Sequence, residues 1–272
     1  MRKVICLSSL LFSSLFSSPV LSWSYSSYIQ ITNAAARFDQ TLYSRMDIDE
    51  KRNFATYRQL PFQQINISVI YGRNGREVPD DLYRVLRSRD YDKTIFKLYS
   101  GGFGGVIVNN LPYSTNLMIR HATAETNPDI KLALTSIATY LLAKSYQPIN
   151  AVTYFDHRTF SRGDSNGWDY CIGYQRSANI TIPECKYNLH WLWDTLLDRY
   201  TFDIKKSDLT NASLDTIIED AADQARFAYT LRAYSMPSRL YIAKSRDILI
   251  IQAEKAAQHI FKTWQSIYGI TE

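Results

Sequence analysis

Between Pro128 and Pro148 the chain repeats apolar residues on one helical period. Ile130, Ala133, Leu134, Ile137, Ala138, Leu141 and Leu142 follow the three-and-four spacing that lines one side of a helix. The two prolines bound the segment, which predicts a helix over Asp129 to Ser145. A second long helix is expected from Ser238 to Tyr268, with Leu249, Ala253, Ala256, Ile260, Trp264 and Ile267 as its buried stripe and Gly269 at its C-cap. Ser213 to Ala233 is alanine-rich, and Leu189 to Tyr200 is a shorter amphipathic stretch; both read as helix. Thr32 to Leu60 reads as one or two more. The fold class is therefore mainly α.

Strand signal is confined to a hairpin, Asp169 to Tyr174 and Ile180 to Cys185, turning at Ser177 to Asn179, with a weaker candidate at Ile65 to Tyr71. Ser100 to Ser114, with Gly101, Gly102, Gly104 and Gly105, reads as a flexible loop. It lacks the lysine-ended spacing of a phosphate cradle.

The N-terminus opens with Arg2 and Lys3 and continues as an uncharged apolar and serine-rich run to Val20, followed by Leu21 and Ser22. This is the pattern of a cleavable secretory leader, residues 1–22, leaving Trp23 as the mature amino terminus and a secreted or periplasmic protein. No later segment reaches spanning length without charges. Residues 23–272 show no linker-like break in composition and read as one domain; 46% hydrophobic and 14% aromatic residues suffice for a sizeable core and argue against disorder. Without Arg2 and Lys3 the balance is near +3, which permits an anionic partner without demanding one.

Cys6 leaves with the leader. Cys171 and Cys185 lie equidistant from Ala178, so the hairpin would face them across its ladder and the export compartment would let them bridge. Asn66, Asn179 and Asn211 open Asn-x-Ser/Thr sequons, used only in a host that glycosylates.

The sharpest local feature is Asn188-Leu189-His190-Trp191-Leu192-Trp193-Asp194. His190 and Asp194 are one helical turn apart and could share a metal, although the same spacing also serves a structural hydrogen-bonded pair. Around it stand an exposed amino-terminal Trp23, a helix ending Tyr146-Gln147-Pro148-Ile149-Asn150, and a loop Gly163-Asp164-Ser165-Asn166-Gly167. In this order the chain resembles the S1/P1 nuclease family over essentially its whole mature length. The resemblance implies a single-domain helical S1/P1 nuclease-like (phospholipase C/P1 nuclease) fold with one small β-hairpin. It further implies zinc-dependent endonucleolytic hydrolysis of phosphodiesters in single-stranded DNA and RNA.

The family's Asn-Leu-His-x-x-Trp-Asp motif is matched at every fixed position, and it implies His190 and Asp194 as ligands of one zinc. The other motifs are in frame but emptied of ligands. Tyr28 stands where a His should follow the amino-terminal Trp, and Tyr140, Lys144, Tyr146 and Asn150 stand where the helix should supply His, Asp, His and His. Gln147 and Pro148 survive between them. The loop keeps Gly163 and Asp164 but closes on Asn166, Gly167 and Trp168. The remaining ligands, an Asp and a His-Tyr in the first half, have no visible counterpart.

Trinuclear zinc catalysis needs a bridging carboxylate and several neutral imidazoles. Lys144 puts a fixed positive charge at the bridge. At most one zinc fits this reading, on His190 and Asp194 with Asn150 as a poor third ligand and the Trp23 amino terminus as a further candidate, or none at all; His157 is a remote substitute, and His121 and His259 read as structural. The resemblance thus implies a catalytically impaired or inactive homologue that binds single-stranded nucleic acid, another phosphoester or a protein partner. The alternative is an active nuclease or phosphoesterase with a single-zinc or rebuilt site, for which Lys144 and Asp164 are the catalytic candidates. Lys144 is expected to pair with Asp194, with Tyr28, Tyr146 or Asn150 satisfying the remaining lone pairs.

Overall fold

The computed structural model describes residues 23–38, 65–173, 187–198 and 212–270, together with positions 51, 52, 54, 56 and 203. Among these lie eight α-helices: α1 (Tyr25–Arg37), α2 (Ile67–Arg73), α3 (Asp80–Arg87), α4 (Leu111–Ala124), α5 (Pro128–Ser145), α6 (Leu189–Thr195), α7 (Leu214–Ala228) and α8 (Arg239–Ile267). Five strands accompany them: β1 (Thr94–Tyr99), β2 (Gly102–Asn109), β3 (Val152–Tyr154), β4 (Cys171–Ile172) and β5 (Tyr187–Asn188). No helix among the described residues is long and apolar enough to cross a membrane.

The helix between the prolines is the centre of the molecule. Pro128 occupies its first turn, where a missing N–H costs nothing, and Asn127 Oδ1 accepts from Asp129 N and Ile130 N, both at 3.1 Å. From Leu132 to Ser145 every residue of α5 is buried, not only the apolar stripe. The polar residues reach that environment by local bonding: Thr135, Ser136, Thr139 and Ser145 each donate to the carbonyl four residues back, at 2.7–3.0 Å. Helices α1, α2, α4, α7 and α8 all pack on α5. From the two ends of the described chain, Trp23 Nε1 donates to Ala143 O at 2.7 Å and Trp264 Nε1 to Thr139 Oγ1 at 2.9 Å.

Helix α8 begins at the Ser238 cap, whose hydroxyl accepts from Tyr241 N, and ends before Gly269 at φ 63°, as expected from its sequence. Helices α6 and α7 also begin where expected, capped by Asn188 and Ser213. The latter stops at Ala228 rather than reaching Ala233: Tyr241 Oη takes the Ala228 carbonyl and Tyr170 Oη the Leu231 carbonyl. Of the Thr32 to Leu60 region, α1 and the helical positions 51, 52, 54 and 56 are described.

Two expectations are corrected. Ile65 to Tyr71, read as a strand, is the start of α2: Asn66 caps it by accepting from Val69 N at 3.1 Å, and Ile67, Ile70 and Tyr71 form its buried side. The glycine-rich Ser100 to Ser114 segment is not a loop. It forms the β1–β2 turn, strand β2 and the start of α4. The main sheet runs β2-β1-β3, with β1 antiparallel to β2 through two irregularities of register and parallel to β3, Phe96 facing Val152. The expected hairpin register, with Cys171 facing Cys185, is not seen among the described residues. Strand β4 pairs antiparallel with β5, Cys171 opposite Asn188, which carries Asn188 directly into its capping role on α6. The Ile180 to Cys185 run, its turn at Ser177 to Asn179, Arg199, Tyr200, Asn211 and the leader 1–22 lie outside the described residues.

Candidate functional site

The C-terminal turn of α5, the first turn of α1, α6 and the turn before β1 meet around Lys144. The Lys144 ammonium lies 2.6 Å from Asp92 Oδ2, with side-chain exposures of 7% and 14%, so both charges are largely withdrawn from water. Lys144 Nζ also stands 5.8 Å from the centre of the Tyr140 ring. Tyr140, one turn earlier, meets Tyr28 of α1 edge-to-face at 6.3 Å. Burial pushes the Tyr28 and Tyr91 phenols far above their ordinary range, so both are neutral. The Tyr28 hydroxyl has no hydrogen-bond partner among the described residues.

Across from these, His190 is fully buried at the start of α6. Its Nδ1 lies 2.8 Å from Asn166 O, and because a carbonyl only accepts, Nδ1 carries the proton and Nε2 presents a lone pair. That nitrogen has no partner among the described residues. Trp168 stacks on the ring at 4.3 Å. Burial, with Lys144 adding to it, lowers the imidazole to about 4, so His190 is neutral. One turn on, Asp194 accepts from Gln147 Nε2 at 2.6 Å, and Asn150 Nδ2 donates in turn to Gln147 Oε1. Burial pushes the Asp194 carboxyl up to about 7 against the opposing pull of Gln147 and Lys144.

Trp23, Tyr28, Tyr140, Lys144, Gln147, Asn150, His190 and Asp194 are thus brought to one region. Three details differ from expectation. Lys144 pairs with Asp92, not with Asp194, whose near oxygen belongs to Gln147. Asn150 Nδ2 donates to Gln147 Oε1, which places it beside the residue that holds Asp194. Tyr146 turns to the other side of α5, where its hydroxyl meets His259 Nδ1 of α8 at 3.0 Å. Burial and nearby Lys262 lower that histidine to about 4.

Asp164, a catalytic candidate by sequence, is completely buried at the outer edge of β3. Its Oδ1 accepts from Tyr154 N at 2.8 Å and its own N–H donates to Tyr154 O at 3.0 Å, while Asn166 Nδ2 donates to Val152 O at 2.6 Å. The loop can lie this close because Gly163, at φ 88°, has no Cβ; one would sit 2.4 Å from Thr153 Cγ2. Desolvation raises the Asp164 carboxyl to about 6. His157 stands on an exposed turn beside Asp156, and His121 binds Asp81 at 3.0 Å. Cys171 is buried on β4, and Cys185 lies outside the described residues.

Asp92 is the site residue that sequence reading missed. It sits 52 positions before Lys144 in an ordinary turn, Asp90-Tyr91-Asp92, and carries no motif.

A comparison with protein-family models and a search among curated proteins both return no match.

Proposed function

We propose that this chain is an exported S1/P1 nuclease-like protein in which the zinc cluster has been replaced by a buried organic centre, and that it binds a phosphoester-bearing ligand, single-stranded nucleic acid first among them, without hydrolysing it. The observation that carries this reading is the Lys144–Asp92 pair at 2.6 Å, within the residues whose motif positions would hold the metals.

The donor set does not fit a zinc cluster. A divalent cation placed beside Lys144 meets Coulomb repulsion of about 8 kcal/mol at 4 Å and an effective dielectric near 20. Tyr28 and Tyr140 offer neutral phenols in place of imidazoles, and a protonated phenol is a poor ligand. Asp92 is neutralised by Lys144, and Asp194 is engaged by Gln147. Retention of the surrounding architecture without its charge-rich centre is what a ligand-binding descendant of a nuclease requires.

A second reading, a single-zinc phosphoesterase, has one specific observation in its favour. The His190 Nε2 lone pair is buried, held in the metal-binding tautomer by Asn166, and close to Asp194.

One experiment separates the two. The exported protein is purified, its amino terminus sequenced, its zinc content measured, and single-stranded DNA offered for digestion and, separately, for binding by fluorescence anisotropy. The expected result is a chain starting at Trp23 with no stoichiometric zinc, no cleavage, a thermal midpoint unmoved by chelator, and saturable binding. One zinc per chain with cleavage selects the second reading, and three overturn the proposal altogether.

A further inference from the structure

The three-stranded sheet has two edges, and the chain treats them oppositely. The β3 edge is closed by the 164–166 loop, which takes the outward Tyr154 N–H, the Tyr154 carbonyl and the Val152 carbonyl with the Asp164 carboxylate, the Asp164 N–H and the Asn166 amide. The β2 edge is left open. Among the described residues β2 pairs with β1 alone, and no backbone group from Phe103 to Asn109 bonds beyond that pairing.

That open edge is long and exposed and carries no charged residue of its own; the Arg226 guanidinium of α7 reaches its first ring, Phe103, at 5.8 Å. Phe103, Val106 and Ile107 are 40%, 46% and 46% exposed. Phe103 and Val106 lie opposite Leu98 and Phe96, so they continue the apolar surface of β1 past the last strand. From Leu98 to Ile119 there is no Asp, Glu, Lys or Arg, in a chain where 21% of residues are charged. Free sheet edges are normally defended by charge, proline or bulges. Here only the two register irregularities against β1 serve that purpose.

We infer that the open β2 edge pairs antiparallel with β2 of a second copy of this chain about a twofold axis, joining two three-stranded sheets into one of six strands. Only another strand supplies the regular donors and acceptors that the outward β2 backbone groups need. The second copy is the occupant because of the charge pattern. About a twofold axis the strand meets itself, where any charged residue would lie near its own kind, and this strand has none. Because the far edge of each sheet is capped by Asp164 and Asn166, the association closes at two copies and does not propagate. One strand pair with its apolar fringe buries less than the ~800 Å² per partner of a standard interface, so the dimer is weak and concentration-dependent.

Sedimentation velocity over a roughly hundredfold concentration range tests this, tenfold in concentration corresponding to 1.4 kcal/mol of association. The wild-type coefficient should rise from monomer toward dimer, and Val106→Lys should remain monomeric at every concentration with an unchanged thermal midpoint. Ile107→Lys serves as a second exposed variant if the first alters folding. Single cysteines placed in turn from 103 to 107 should cross-link two copies most efficiently at one position near the axis, while Ser100→Cys should not. A wild-type protein that stays monomeric throughout overturns the inference, as does a dimer that both lysine variants leave intact.

Discussion

At the scale of single residues, Lys144 and Asp92 depend on each other. Each is buried enough that its charge is tolerable only beside the other, so removing one partner is far more damaging than replacing both. Lys144→Ala is expected to cost about 3–5 kcal/mol in urea unfolding. The double change Lys144→Met with Asp92→Asn should recover most of that loss, and equal losses in the single and double variants would refute the pairing. Asp164 answers differently. Its carboxyl is raised to about 6, above its unfolded value, so its contribution to stability is fully present below about pH 4 and is lost as pH rises through 6. A shift of about two units corresponds to on the order of 3 kcal/mol. Asp164→Asn keeps an acceptor for Tyr154 N–H and removes the charge. Its stability relative to wild type should therefore improve between pH 4 and 7 and then level off. His190 and His259, both lowered to about 4, act in the opposite direction, destabilising the fold as pH falls from about 6.5 through 4. Because they are common to both proteins, the difference curve isolates Asp164, and a flat difference would contradict this account.

At the scale of elements, local rules succeeded where local interactions decide. The caps at Asn127, Asn188, Ser213 and Ser238 and the stop at Gly269 follow from side chains that bond their own neighbours, and such bonds are written in adjacent positions. The errors share the opposite cause. Ile65, Ile67 and Val69 alternate as a strand would, but the Asn66 cap and burial of Ile70 and Tyr71 against α5 make the segment a helix. Strand β2 was illegible because Gly104 and Gly105 signal a turn unless a neighbour pairs with them, and that neighbour, β1, carries no alternating signal of its own. The site shows the same division: the residues of the Asn188 to Asp194 run and those around Gln147 are contiguous and were found, whereas Asp92 joins only through folding. For the small β4–β5 pair, we expect a bridge between Cys171 and Cys185, closing a loop of roughly 15 residues worth about 3 kcal/mol. Mass spectrometry of the purified, unreduced protein should find the linked peptides. Two alkylatable thiols in the native state would rule the bridge out.

At the scale of the whole molecule, one central helix is bonded by residues from far before and far after it in the sequence, which makes folding depend on distant contacts. Helix α5 is buried on all sides from Leu132 to Ser145, so its burial requires partners on every face. Two of the bonds that hold it come from Trp23, 120 positions earlier, and from Trp264, 125 positions later. Neither half of the chain alone can supply all the walls that bury α5. The first 150 residues lack the wall that α8 supplies, and the loops to be closed are long, which slows the search for the native pairing. Helix α8 follows α5 in the chain and covers part of its surface, so α5 is fully packed only once α8 is available to it.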